Sequence, residues 1–194
     1  MTSPMTRPLP LALALLAGGA STRMGRDKAG LPLAGTTLLA HLAGLGAEVG
    51  LPVLICGRSR PAGWTSPPAI FLTDAAPGEG PLRGLEAAFL HAESVLLLAC
   101  DLPLLTAADL AWLIGAPTAR HGTAVLRDGQ VEPLFSRYHA TCRPLLAAEL
   151  TAGRRSPARL LATGTFARVT APPEVAAHLT DADTPGDWQT LTTT

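Results

Sequence analysis

The sequence predicts an α/β fold: a doubly wound, mostly parallel sheet held between two layers of helices, α/β/α. Three observations predict it. The apolar runs at residues 11–16, 52–56 and 95–100 contain almost no polar residue and do not alternate. Strands buried on both faces read this way, and parallel sheets bury both faces. Segments with helical spacing stand between these runs, so strand and helix alternate along the chain. One late pair of extended segments, with Asp128-Gly129 between them, reads as a hairpin added to the parallel set.

Length and composition bound the rest. At 194 residues the chain can bury a full-sized core, and residues 1–194 read as one domain. Fifteen basic and fifteen acidic residues cancel. That balance argues against a basic nucleic-acid surface and against an acidic disordered chain. No apolar run is long enough to span a bilayer. Cys56, Cys100 and Cys142 are odd in number, widely spaced and outside any C-x-x-C pattern. They read as reduced core thiols of a cytoplasmic protein.

Residues 1–8 read as a loose end, with Met5 an alternative start. The apolar run that follows ends in Ala17-Gly18-Gly19-Ala20-Ser21-Thr22-Arg23-Met24-Gly25-Arg26-Asp27-Lys28. The two glycines let the backbone turn sharply and come close to a ligand. Loop N–H groups can converge on an anion, Arg23 can fork onto phosphate oxygens, and Lys28 adds a point charge. The loop is read as a nucleoside triphosphate cradle. It is neither a Walker A loop, since no Gly-Lys-Ser/Thr closes it, nor G-x-G-x-x-G. A rival reading makes it a secretory leader, with Arg7 as the basic end, residues 9–16 as the apolar centre and 17–20 as the cleavage region. Cleavage there would discard the strand.

Leu31-Pro32-Leu33-Ala34-Gly35 reads as a short extended piece closing in a turn. Thr36 or Thr37 can cap a helix to about Val49, with Leu38, Leu39, Leu42 and Leu45 on one face. The second strand spans 52–56, and the proline-rich stretch 61–68 is loop. A short strand at 69–72 leads into Asp74 and the glycine-rich stretch before Gly80-Pro81. Pro81 suits the first turn of a helix to about Ala92, whose free N–H groups would face an anion or a base edge.

Residues 95–100 form the clearest strand and end at Asp101. An acid at the carboxyl end of a central strand sits where open α/β sheets bind ligands. Facing a triphosphate it needs a cation between, and Asp101 with Mg²⁺ is the natural pairing. A helix or turn cap is the plainer role, but Thr106 already supplies a cap. Residues 123–126 and 132–138 read as two strands joined at Asp128-Gly129, with Pro133 arguing for an edge. Helices follow at about 139–150 and 156–161, and a last strand at 167–170. Arg154 and Arg155 read as a solvated turn, with contact to an acidic acceptor the sharper alternative. Near the end, Thr184, Pro185 and Asp187 fit an N-cap, a first helical position and an acid at the third.

The stretch L-A-G-G-A-S-T-R-M-G-R-D-K, with G-P-L-R-G-L, C-D-L-P-L-L and E-P-L-F further on, resembles the molybdenum cofactor guanylyltransferases of the wider Rossmann-like nucleotidyltransferase fold. The resemblance covers most of the chain. It implies GMP transfer from GTP to the terminal phosphate of molybdopterin, or of its molybdenum-loaded form. It also implies cofactor-synthesis proteins and molybdoenzyme chaperones as partners, with neither nucleic acid nor membrane. The implied nucleotide site is Leu16, Ala17, Gly18, Gly19, Arg23, Lys28, Asp74, Gly80, Pro81 and Asp101. Within it Arg23 and Lys28 grip phosphates, Asp101 holds Mg²⁺, and Asp74 helps seat base or ribose. E-P-L-F lies beside the acceptor in that family, where Glu132 could serve the acceptor or face solvent.

Several positions depart from the family pattern. Arg83 stands where Ala is usual, Gly57 lies where an asparagine near the base is common, and Asp181 and Asp183 replace asparagines. Acid there is more usual in a cytidylyl branch, and Asp183 could be a second metal ligand or a turn acid. A CTP-using enzyme, another nucleotidyltransferase with a phosphorylated acceptor, a GTP-binding module without turnover and a secreted binding protein are the alternatives.

Overall fold

A computed structural model describes residues 7–18, 27–65, 67–73, 80–182 and 184–192. Strand β1 (Ala12–Leu16) opens the fold. A 3-10 turn (Lys28–Gly30) and a small hairpin of β2 (Pro32–Leu33) and β3 (Thr36–Thr37) follow. Thr37 then caps α1 (Leu38–Glu48), its hydroxyl accepting from the Ala40 N–H at 3.2 Å. Strands β4 (Val53–Cys56) and β5 (Ile70–Leu72) lead to α2 (Pro81–Phe89). Next come β6 (Ser94–Ala99) and α3 (Ala107–Gly115). Thr106 and Asp109 close a reciprocal capping box on α3.

The second half runs β7 (Gly122–Arg127), β8 (Gln130–Val131) and β9 (Phe135–His139). Helices α4 (Arg143–Thr151) and α5 (Ala158–Thr163), strand β10 (Phe166–Thr170), and helices α6 (Pro173–His178) and α7 (Pro185–Thr192) complete it.

The main ladder has the order β5-β4-β1-β6-β9, parallel except for β9. A second ladder, β10-β7-β8, adjoins it. Ser136 stitches the two together: its hydroxyl accepts from the Val125 N–H at 3.1 Å and donates to the Glu132 carbonyl at 2.7 Å. Period-two side-chain alternation sends Leu13 and Leu15 of β1 to one face, with Leu42 of α1, Leu110 of α3 and Val175 of α6. Ala12 and Ala14 point to the other face, against Leu85 and Phe89 of α2, Leu146 of α4 and Leu160 of α5. The predicted α/β/α sandwich is the observed one. Residues 12–15 are fully buried between β4 and β6, so removing this stretch as a leader would take out the centre of the sheet. None of the helices among the described residues is long and apolar enough to cross a membrane.

The structure corrects four expectations. Residues 132–138 are not one strand paired to 123–126. The hairpin at Asp128-Gly129 joins β7 to the two-residue β8, and β9 starts only at Phe135 and pairs with β6. Pro133 has no N–H to extend the β7 ladder, so the chain steps across to β6. His139 is the end of β9 rather than a helix start, and α4 begins after a 3-10 turn at Ala140–Cys142. The α2 helix stops at Phe89 instead of about Ala92. Helix α6, at 173–178, was not foreseen: a six-residue helix opened by prolines carries too little periodic signal.

Candidate active site

Parallel pairing decides where the chemistry can lie. Leu16 and Ala99 are register partners on β1 and β6, so both strands deliver their following loops to the same sheet edge. A cleft of about 250 Å³ opens there, lined by Leu16, Ala17, Gly18, Asp27, Lys28, Ala29, Pro81, Ala99, Cys100, Asp101 and Leu134. Six of the residues expected from sequence therefore meet in one cleft: Leu16, Ala17, Gly18, Lys28, Pro81 and Asp101. Gly80 stands beside them as the residue before α2. Gly19, Arg23, Asp74 and Asp183 lie outside the described residues.

Gly80 is needed on two counts. Its φ of +84° and ψ of 179° belong to a region that only glycine occupies readily. A Cβ there would stand 2.9 Å from the Arg155 Cβ. The conformation delivers Pro81 into the cleft and turns the N-terminus of α2 toward it.

Lys28 sits on a short turn with its own support. The Asp27 carboxylate accepts from the Ala29 N–H at 3.2 Å, which caps the turn. Arg58, just beyond β4, donates to the same carboxylate. The Lys28 Nζ lies 3.8 Å from Asp101 Oδ2, with the two side chains 15 % and 28 % exposed. Cation and carboxylate thus face each other across the cleft floor, shielded but reachable. Burial, with the Asp101 charge next, pushes the Cys100 thiol up to about 12. Cys100 is a neutral wall at ordinary pH, not a nucleophile. Cys56 and Cys142 are likewise buried thiols. Gly57, where the family often has asparagine, takes a φ of +88° and gives its N–H to the Leu72 carbonyl at 2.8 Å.

A second cleft of about 130 Å³ adjoins the first and shares Ala99, Asp101 and Leu134 with it. Its other walls are Leu102, Glu132, Pro133, Phe135, Leu179 and Asp181. Burial raises the Glu132 carboxyl above the usual range; Arg127 opposes that rise and Asp181 adds to it. Arg127 Nε is 2.6 Å from Glu132 Oε1. The Ala182 N–H donates to the Asp101 carbonyl at 2.9 Å, joining the segment after α6 to the metal candidate. Arg154 and Arg155 border a separate hollow with Arg83. Arg154 is bound to Glu149 by two hydrogen bonds, of 2.6 and 2.9 Å, as a charged turn would be.

Sequence reasoning missed several lining or supporting residues. Asp27 stood in the quoted motif without a role, although an acid two residues before a turn N–H is a capping signal. Arg58 meets Asp27 across 31 residues and Arg127 meets the Leu179 carbonyl across 52, contacts that carry no local signal.

The chain has counterparts among known proteins in sequence and in fold. A family model described as the MobA-like NTP transferase domain matches residues 13–170. The chain belongs to this family. Among MobA-like relatives, a probable molybdenum cofactor guanylyltransferase of Synechococcus elongatus is 37 % identical over 93 % of this chain and 97 % of its own. In fold, the chain is similar to the molybdopterin-guanine dinucleotide biosynthesis protein A of Archaeoglobus fulgidus. The TM-score is 0.74 at 21 % identity, covering 94 % of this chain and 97 % of that one. A Mycobacterium tuberculosis H37Rv protein solved as a complex with manganese has a TM-score of 0.60 at 18 % identity, covering 95 % and 99 %. The matched span contains both clefts up to β10; Leu179 and Asp181 fall beyond it.

Proposed function

We propose that this MobA-like nucleotidyltransferase transfers GMP from GTP to the terminal phosphate of molybdopterin, forming molybdopterin guanine dinucleotide and releasing pyrophosphate. The names of the relatives support the substrates. The observation that carries the reading is the shared wall: Asp101 borders both clefts, with Lys28 3.8 Å away on the nucleotide side. A donor and an acceptor seated in adjoining clefts would meet at that carboxylate.

The reaction asks little covalent work of the protein. An acceptor phosphate oxygen attacks the α-phosphorus of GTP, and the bond from that phosphorus to the α–β bridging oxygen breaks. Its electron pair leaves with pyrophosphate. The nucleophile is already an anion, so no general base is needed, and alignment and charge neutralisation dominate. In this reading Lys28 and Arg23 bind phosphates. The chain from Leu16 to Gly19, Asp74 and the Gly80-Pro81 helix start seat base and ribose.

The residues present fit Mg²⁺. Asp101 offers hard oxygen at the junction of the clefts, and Asp181 lines the same second cleft. Among the described residues no group of three or more His, Cys, Asp or Glu could hold a metal by itself, so phosphate oxygens and water would complete the shell. When bound, the ion supplies positive charge against the reacting phosphates. The three buried thiols support a cytoplasmic setting.

The test is pyrophosphate release with GTP, CTP, ATP or UTP and purified molybdopterin, with and without molybdenum. Release is expected with GTP and only when acceptor is present. A clear CTP preference would move the chain to the cytidylyl alternative, which the acid at Asp181 favours. Nucleotide binding without release from any pair would leave a binding module.

A further inference from the structure

We propose that Arg127 is a positioning residue for the acceptor half of the site, a role that rests on the two-cleft reading above. Arg127 is the last residue of β7, behind the lining of the second cleft and bonded to two residues of it. Its Nε lies 2.6 Å from Glu132 Oε1, and its Nη1 donates to the Leu179 carbonyl. Those two partners come from separate segments of the chain. Glu132 belongs to the segment that steps from β8 to β9, and Leu179 is the C-cap of α6. Both line the cleft that Asp101 borders. Arg127 therefore bridges walls that share no strand pairing.

The bridge also reaches the cleft junction. Three residues after Leu179, the Ala182 N–H donates to the Asp101 carbonyl. Leu179 to Ala182 is thus a strap fastened at one end by Arg127 and at the other by the Asp101 backbone. A planar guanidinium suits this task, because it presents several donors in fixed directions and keeps its charge. The cation also offsets one of three carboxylates, Asp101, Glu132 and Asp181, that line one small cleft. Without it Glu132 and Asp181 would repel across the space the acceptor must enter. The nucleotide cleft does not include Arg127 or the strap.

The test compares Arg127→Met, Arg127→Lys and, as a control, Arg168→Met, which removes an exposed arginine of β10. Acceptor and GTP are varied in turn, and GTP binding is measured by calorimetry without acceptor. Arg127→Met should raise the acceptor KM by about 10- to 100-fold, the scale of a misplaced site wall. The GTP KM and GTP affinity should stay within about twofold. Arg127→Lys should recover part of the loss, since an ammonium can pair with Glu132 but lacks the second, fixed donor. Arg168→Met should match the parent protein. In parallel, amide hydrogen exchange of the ligand-free protein should quicken at Ala182 in Arg127→Met and not in the control.

Unchanged exchange at Ala182, or an equal rise in both KM values, overturns the positioning role. If Arg127→Met does not fold, Arg127→Lys carries the same two measurements. If the parent protein turns over no molybdopterin, the proposed reaction fails, and the exchange result alone decides whether Arg127 holds the strap.

Discussion

Replacing Asp101 by Asn separates charge from shape at the junction of the clefts. The amide keeps the size and most hydrogen bonding of the carboxylate but loses the charge that a metal would need. The structure bounds the stability cost. Two unit charges 3.8 Å apart interact by about 4 kcal/mol at an effective dielectric constant of 20 and by about 1 kcal/mol in water. The Lys28 and Asp101 side chains are 15 % and 28 % exposed and border an open cleft, so solvent screening pulls the value toward the lower figure. Asp101→Asn should therefore cost about 1 kcal/mol in urea unfolding of the ligand-free protein. Turnover should fall by about 10²-fold or more, equivalent to about 2.7 kcal/mol or more in the barrier. A loss of about 1 kcal/mol leaves a domain of ordinary stability folded, so the fall in turnover reports on catalysis rather than on unfolding. Pyrophosphate release is measured over a Mg²⁺ titration, and high Mg²⁺ should restore only part of the rate. Full activity with an unchanged metal requirement would refute the assignment, as would an activity loss that merely follows the unfolded fraction.

Lys28→Ala should lower pyrophosphate release by about 10²-fold while leaving the fold intact, as judged by circular dichroism. Arg58→Met should leave stability within about 0.5 kcal/mol, because the Asp27 partner is exposed, yet weaken GTP binding several-fold through the turn that carries Lys28; calorimetry reads both effects apart from catalysis. Gly80→Ala should cost about 1–3 kcal/mol, from an unfavourable φ and a contact with Arg155, and thermal melting with and without GTP will show a smaller ligand-induced shift. The hydrogen bonds from Arg154 hold the Glu149 carboxyl below its usual range. Its contribution to stability is present above the unfolded-state pKa and disappears as the pH falls through the folded-state value. The Tm gap between the parent protein and Glu149→Gln should narrow on acidification, and a gap that widens would falsify this pairing.

Local pattern was enough for much of the fold and part of the site. The unalternated runs at β1, β4 and β6 read as strands covered on both faces, which places the acid after β6 at a sheet edge, and the parallel pairing bears this out. Caps at Thr37 and Thr106 were readable because each bond spans three residues. Lys28, Pro81 and Asp101 announced themselves by residue type and by the motifs around them. What the tertiary structure alone decided are pairings between distant segments. Strand β9 joins β6 rather than β7 because the chain at Pro133 cannot continue a ladder, and Ser136 closes the gap that results. Arg58 meets Asp27 across 31 residues, and Arg127 meets Leu179 across 52. No local periodicity encodes such contacts, since they depend on which strand ends the parallel order brings together. The second cleft exists for the same reason: β6, the segment between β8 and β9 and the strap after α6 converge there only once the sheet is assembled.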